Sequence, residues 1–141
     1  MRTTITILYT EEVLAIRHHS PKKIAIFDDD EDILSICEYV LGEEGWEVHC
    51  FMECNDVVEK VEAVVPRVII MDNWIPSIGG IKATQALKKS AFRHIPIIYF
   101  SANRDVKQLA ETAGAETFLA KPFDLDALKD IVNDTVARYN A

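Results

Sequence analysis

The chain is short of three things. Cysteine occurs at Cys37, Cys50 and Cys54, an odd number without metal-ligand spacing and set among apolar residues. That excludes a disulfide framework and a zinc site of the Cys-x-x-Cys kind, and it reads as reduced core thiols in a cytoplasmic protein. No apolar run approaches the ~20 residues that a helix needs to cross a bilayer, so no membrane span is expected. The first residues, with one Arg, a short Thr/Ile stretch and then Glu11-Glu12, lack the layout of a secretory signal. Positive charge is short as well: 15 Lys and Arg stand against 23 Asp and Glu, a net charge of −8. A protein whose main partner is a nucleic-acid backbone displays the opposite excess, so no direct nucleic-acid contact is expected. A surplus of carboxylates suits a protein that holds a cation.

What is present suffices for one domain. With 141 residues, 49% of them hydrophobic, the chain can bury one ordinary core, and two domains would be cramped. Its most informative stretch is Val68-Ile69-Ile70-Met71-Asp72, an apolar run between Pro66 and the punctuation of Pro76 and Gly79-Gly80. Such a run reads as a buried strand of a parallel sheet. Asp72 stands where that strand leaves the sheet, and open α/β sheets bind ligands outside the carboxyl ends of their strands. A lone aspartate there could equally cap a turn. Other strands that end in matching ways favour chemistry.

Residues 1–21 do not share the pattern of the remainder and read as an N-terminal extension, either loosely ordered or an interaction arm; His18-His19 alone is weak ground for a metal. From residue 22 to 141 strands and helices alternate. Ile24-Ala25-Ile26-Phe27 forms a buried strand that ends in Asp28-Asp29-Asp30-Glu31-Asp32. Ile33, Leu34, Ile36, Cys37, Val40 and Leu41 then recur at helical spacing, with Asp30 as N-cap and Gly42 or Gly45 as stop. Trp46, Val48 and Cys50 mark a short strand, and Val57, Val58, Val61 and Val64 a helix capped by Asn55. A helix from about Gly80 to Lys89 follows the central strand. Ile97-Ile98-Tyr99-Phe100 is a further buried strand ending at Ser101, and a helix through Val106, Leu109, Ala110 and Ala113 stops at Gly114. The last strand, Thr117 to Ala120, runs into Lys121-Pro122-Phe123, and a final helix from Asp124 buries Leu125, Leu128, Ile131, Val132, Val136 and Tyr139. Five alternations with short connections call for right-handed crossovers and one α/β sheet covered on both faces, with no room for an output domain.

Strand ends therefore bring Asp28, Asp29, Asp72, Lys121 and the Ser101 hydroxyl to one rim. Clustered carboxylates repel and raise one another's pKa unless a cation intervenes. Hard oxygen ligands in a partly open site suit Mg²⁺, which shares phosphate oxygens with its site. A carboxylate can attack phosphorus to give an aspartyl phosphate, with Lys121 and Ser101 neutralising or donating to the phosphoryl oxygens.

The ordered set of Ile24-Ala25-Ile26-Phe27-Asp28-Asp29, Met71-Asp72 with Pro76 four residues on and Gly80 eight on, Ser101-Ala102 and Lys121-Pro122-Phe123 resembles the receiver domain of two-component response regulators. The resemblance covers about residues 22 to 141. It implies a flavodoxin-like, five-stranded parallel sheet in the order 2-1-3-4-5 flanked by five helices. It implies that Asp72 accepts a phosphoryl group from a histidine kinase or a histidine phosphotransfer protein. Asp28 and Asp29, with Asp72 and the carbonyl of Trp74, would hold Mg²⁺. Lys121 would contact the phosphoryl group, and the Lys121-Pro122 bond would be cis. Ser101 and Phe118 would be switch positions whose movement repacks the surface of the fourth helix, last strand and last helix, and so controls a downstream protein. Such a chain is a cytoplasmic signalling switch that catalyses its own phosphorylation and dephosphorylation, as monomer or phosphorylation-dependent dimer, and here a stand-alone receiver is expected.

One position departs from the family pattern within the site. Trp74 is bulky where smaller or polar residues are frequent, and Asn103 is its counterpart beyond Ser101; Trp74 is expected to slow dephosphorylation by excluding water. Two alternatives remain open at this stage. Phe27-Asp28-Asp29-Asp30 also reads as a strand followed by Asp-x-Asp, the start of a haloacid-dehalogenase-like phosphatase with Asp28 as nucleophile and Asp30 as general acid, although a later acidic pair and a cap segment are lacking. A receiver fold that takes no phosphate and serves as an interaction module is the other.

Overall fold

Strands and helices alternate along residues 22–139, the part of the chain that the computed structural model describes. They are β1 (Lys22–Phe27), α1 (Glu31–Glu43), β2 (Trp46–Phe51), α2 (Val57–Val64), β3 (Val68–Asp72), α3 (Gly80–Lys88), β4 (Ile97–Ser101), α4 (Val106–Ala113), β5 (Thr117–Ala120) and α5 (Leu125–Tyr139). All neighbouring strands pair in parallel, in the order β2-β1-β3-β4-β5. This is the expected α/β architecture. The expectations for residues 1–21, His18 and His19 among them, lie outside the described residues.

The sheet is apolar on both sides because helices cover both sides. β3 and β4 are buried at every residue, so their sequences are continuous apolar runs rather than alternating ones. Side chains nevertheless alternate between two core layers. Ala25, Phe27, Ile69, Met71, Ile97 and Tyr99 pack with residues of α2, α3 and α4. Ile24, Ile26, Val68, Ile70, Ile98 and Phe100 pack with residues of α1 and α5.

Helix ends follow local chemistry. The Asp30 carboxylate accepts from the amides of Asp32 and Ile33 and caps α1, and Gly45, at φ +89°, terminates the turn after it, while Gly42 stays within the helix. Asp124 caps α5 by accepting from the Ala127 amide at 2.7 Å. Asn55 does not cap α2. The cap position is Asp56, held in the left-handed region without a side-chain bond, and the Asn55 side chain instead accepts from Lys60 Nζ at 3.0 Å. Leu125 and Tyr139 also differ from expectation, being 48% and 43% exposed. Both lie at the ends of α5: Leu125 is its first residue and lines an open groove with Ile36, Tyr39 and Val40 of α1, and Tyr139 is its last.

α3 begins against the backbone of the strand before it. A Cβ at Gly80 would lie 2.2 Å from the Asp72 carbonyl oxygen and 3.0 Å from the Asn73 Cα, so no other residue fits without moving the end of β3. Gly80→Ala is therefore expected to lower stability by about 2 kcal/mol or more, read as a lower urea midpoint. Gly42→Ala, in a helix with open space around the new methyl group, is expected to raise stability by about 0.5–1 kcal/mol.

Candidate functional site

Parallel strands in register end together, and the register here places Asp28 and Asp72 side by side. Phe27 pairs with Met71 and each is followed by its acid; Ser101 pairs with Ala120, and Lys121 follows. Asp28, Asp72 and Ser101 are 0%, 5% and 1% exposed, while Asp29 faces solvent. The Lys121 ammonium donates to Asp28 Oδ2 and to Asp72 Oδ1, each at 2.7 Å. Both remaining carboxylate oxygens are also engaged: Asp28 Oδ1 accepts from the Asp30 amide and Asp72 Oδ2 from the Trp74 amide, each at 3.0 Å. Lys121 also stands 5.9 Å from the centroid of the Phe100 ring. The Lys121-Pro122 peptide bond is cis.

Burial pushes the Asp28 carboxyl above the ordinary carboxylate range; the Lys121 hydrogen bond and the Asp30 amide oppose this, and the charge of Asp72 adds to it. Burial works the other way on Lys121, but the hydrogen bonds and charges of Asp28 and Asp72 outweigh it and hold the ammonium above its usual value. Two buried carboxylates share one ammonium, so the pocket keeps an excess of negative charge. One oxygen each from Asp28, Asp29 and Asp72 lies within 4.8 Å of the others. Three hard oxygen donors, two buried and one facing solvent, fit a small divalent cation that retains water ligands.

The rim thus unites Asp28, Asp29, Asp72 and Lys121. Ser101 lies at the end of the adjoining strand, its Oγ accepting from the Asn103 amide at 3.0 Å. The Trp74 amide reaches Asp72, but its indole is 77% exposed and lines an open groove with Ile78, Ile81, Lys82 and Leu109. Phe118 is not at the rim. It is half-buried on β5, paired with Tyr99 and packed against the layer that holds α4.

Some contributors had no clear sequence signal. Gly80 stood out as punctuation, as a helix start and as a motif position, but its need to be glycine comes from its approach to the Asp72 carbonyl, which no sequence pattern shows. The buried Cys54 donates its thiol to the Pro76 carbonyl at 3.1 Å and so supports the loop that follows Asp72. The Tyr99 hydroxyl donates to the Asn73 side chain, 26 residues away in sequence, which no local pattern could reveal.

Comparison with known proteins agrees with this arrangement. The family model of the response regulator receiver domain matches residues 24–133. The CAI-1 autoinducer sensor kinase/phosphatase CqsS of Vibrio cholerae is 30% identical over 111 residues, which are 76% of this chain and 16% of that protein, so the chain spans a small part of that relative's length. The Vibrio cholerae chemotaxis protein CheY4 superposes with a TM-score of 0.74 at 24% identity, over 82% of this chain and 99% of that one. A CheY-like response regulator receiver domain protein from Methanospirillum hungatei superposes with a TM-score of 0.77 at 23% identity, over 86% and 98%. These two likenesses speak for the fold. With a family match across most of its length, the chain belongs to the response regulator receiver domains, the signalling switches of two-component systems.

Proposed function

We propose that Asp72 is a phosphoryl acceptor, supplied by a phosphohistidine on a histidine kinase or a histidine phosphotransfer protein. The observation that carries this reading is the Lys121 ammonium held 2.7 Å from both Asp28 and Asp72. A carboxylate gripped in this way is oriented, and a fixed positive charge stands where phosphoryl oxygens would gather charge. In the transfer, an Asp72 oxygen forms a bond to phosphorus while the P–N bond to the histidine breaks. The electron pair of that bond stays on the imidazole nitrogen, which takes up a proton. Lys121 exchanges one carboxylate contact for the incoming phosphoryl oxygens.

Asp28, Asp29, Asp72 and the carbonyl of Trp74 would hold Mg²⁺. When bound, this ion supplies charge neutralisation at the phosphoryl oxygens. Ser101 donates its hydroxyl to the new phosphoryl group, and Phe118 turns inward behind it. The surface that responds is that of α4, β5 and α5, where β5 is an edge strand flanked by grooves of about 190 Å³ on the α4 side, partly lined by Phe118, and about 120 Å³ on the α5 side. A downstream protein that reads this surface is the output. The unit that switches is residues 22–141, acting in the cytoplasm, with residues 1–21 as an extension; no described helix is long and apolar enough to cross a membrane.

Intact-mass measurement with Mg²⁺ and acetyl phosphate tests the assignment. One phosphoryl adduct that needs Mg²⁺ and disappears in Asp72→Asn is the expected result; an adduct that persists in that variant, or its absence from folded wild type, contradicts it. Mg²⁺ itself should raise the melting temperature, by roughly 2.7 kcal/mol of stability at a hundredfold excess over Kd, and chelation should reverse the gain. Asp28→Asn should abolish this response without lowering metal-free stability. The sign follows from the raised Asp28 pKa: metal-free stability falls as pH rises from the ordinary carboxylate value through the raised one, and Asn removes that fall. Trp74→Asn should shorten the life of the phosphorylated form several-fold, about threefold or more if the indole shields the acyl phosphate from water; an unchanged or longer lifetime removes that role.

A further inference from the structure

The loop after Asp72 is held at its first residue by more than backbone. The Asn73 amide donates to the Phe100 carbonyl at 2.9 Å, and the Asn73 carbonyl accepts from the Gly80 amide at 3.2 Å. Its side-chain oxygen is the third anchor, accepting from the hydroxyl of Tyr99. The next residue, Trp74, gives its amide to Asp72 Oδ2. Asn73 therefore sets the peptide that sets one of the two Asp72 oxygens.

Tyr99 sits between this anchor and the switch position. It is fully buried, on the strand that ends in Ser101, and is the register partner of Phe118. Register partners on parallel strands point to the same face of the sheet, so the two rings are neighbours in one core layer. A buried phenol needs a partner, and among the described residues the one it has is Asn73. Burial, with the charge of Asp72 adding to it, pushes this phenol up to about 12, so it stays a proton donor throughout the working pH range. Cys54, the other side chain that supports the loop, contacts it later, at Pro76.

We propose that Tyr99 is a positioning residue for phosphoryl transfer: through Asn73 it fixes the Asp72-to-Trp74 backbone for attack, and it ties that backbone to the ring packing of Phe118. The inference rests on Asp72 being the phosphoryl acceptor. It makes the hydroxyl of a core tyrosine part of the acceptor's geometry, although the hydroxyl is bonded to Asn73 and not to the carboxylate or to Lys121.

The test is a double-mutant cycle of Tyr99→Phe and Asn73→Ala, with rates of adduct formation read by intact mass from acetyl phosphate and Mg²⁺. Tyr99→Phe keeps the ring and removes one oxygen, and Asn73→Ala breaks the same bond from the loop side. Each single variant should lower the maximal rate by about five- to tenfold, the size expected for one lost hydrogen bond. The half-saturating donor and Mg²⁺ concentrations should be unchanged. The double variant should be no slower than the slower single one, because both remove one interaction. Tyr99→Phe at the wild-type rate, with or without a lower melting temperature, means the bond is structural only and overturns the inference. So do single effects that multiply in the double variant. Wild type that takes no phosphate at all is a separate result, seen before any variant is compared; it removes the acceptor assignment and this inference with it.

Discussion

Everything at the rim depends on one ammonium lodged between two buried carboxylates. Asp28 and Asp72 sit on adjacent strands whose parallel register brings their side chains level. Water is largely excluded from both, so their repulsion is poorly screened. Lys121 reaches them from β5, a strand that is not hydrogen-bonded to either β1 or β3. The contact therefore joins residues 93 and 49 positions apart and closes the sheet's upper edge over its acidic end. It also leaves the pocket short of positive charge, and that shortage makes the site receptive to a divalent cation.

The fold supplies this arrangement through register and close approach rather than through flexible loops. β3 and β4 are buried along their whole length, and a slip of one residue would exchange the side chains of the two core layers and carry Asp72 out of line with Asp28. Gly80 lets α3 start directly against the Asp72 carbonyl, which fixes where the strand may end. The covering helices then divide the labour. α1 and α5 pack the layer with Phe100, whose ring lies near Lys121, while α4 packs the layer with Tyr99 and Phe118. β4 carries both Ser101, at the rim, and Tyr99, the register partner of Phe118 on the edge strand.

Much of this was legible from residues alone, for a physical reason. Parallel strands covered on both faces must be apolar throughout, so Ile24–Phe27, Val68–Met71 and Ile97–Phe100 stand out, and the acids and hydroxyl that follow them fall at one edge, which Lys121 joins from the end of the shorter, part-exposed Thr117–Ala120. The strand order was different: periodicity shows that strands and helices alternate, and the 2-1-3-4-5 arrangement entered through resemblance to a family. Local rules failed where tertiary geometry decides. Asn55 looked like a cap, but the chain turns through a left-handed Asp56 and sends the Asn55 side chain to Lys60. Leu125 and Tyr139 kept the helical period of a core face yet stand exposed at the two ends of α5. Tyr99 read as one more strand aromatic because its partner Asn73 is distant in sequence.

The most direct measurement is the metal-free stability of Lys121→Met, followed by urea unfolding near neutral pH with and without Mg²⁺. If the ammonium is what permits Asp28 and Asp72 to be buried together, its removal leaves uncompensated buried charge and should lower stability by about 3 kcal/mol or more. Mg²⁺ should then restore a larger share of stability than it adds to wild type. A metal-free variant as stable as wild type, with no greater response to Mg²⁺, would contradict the account.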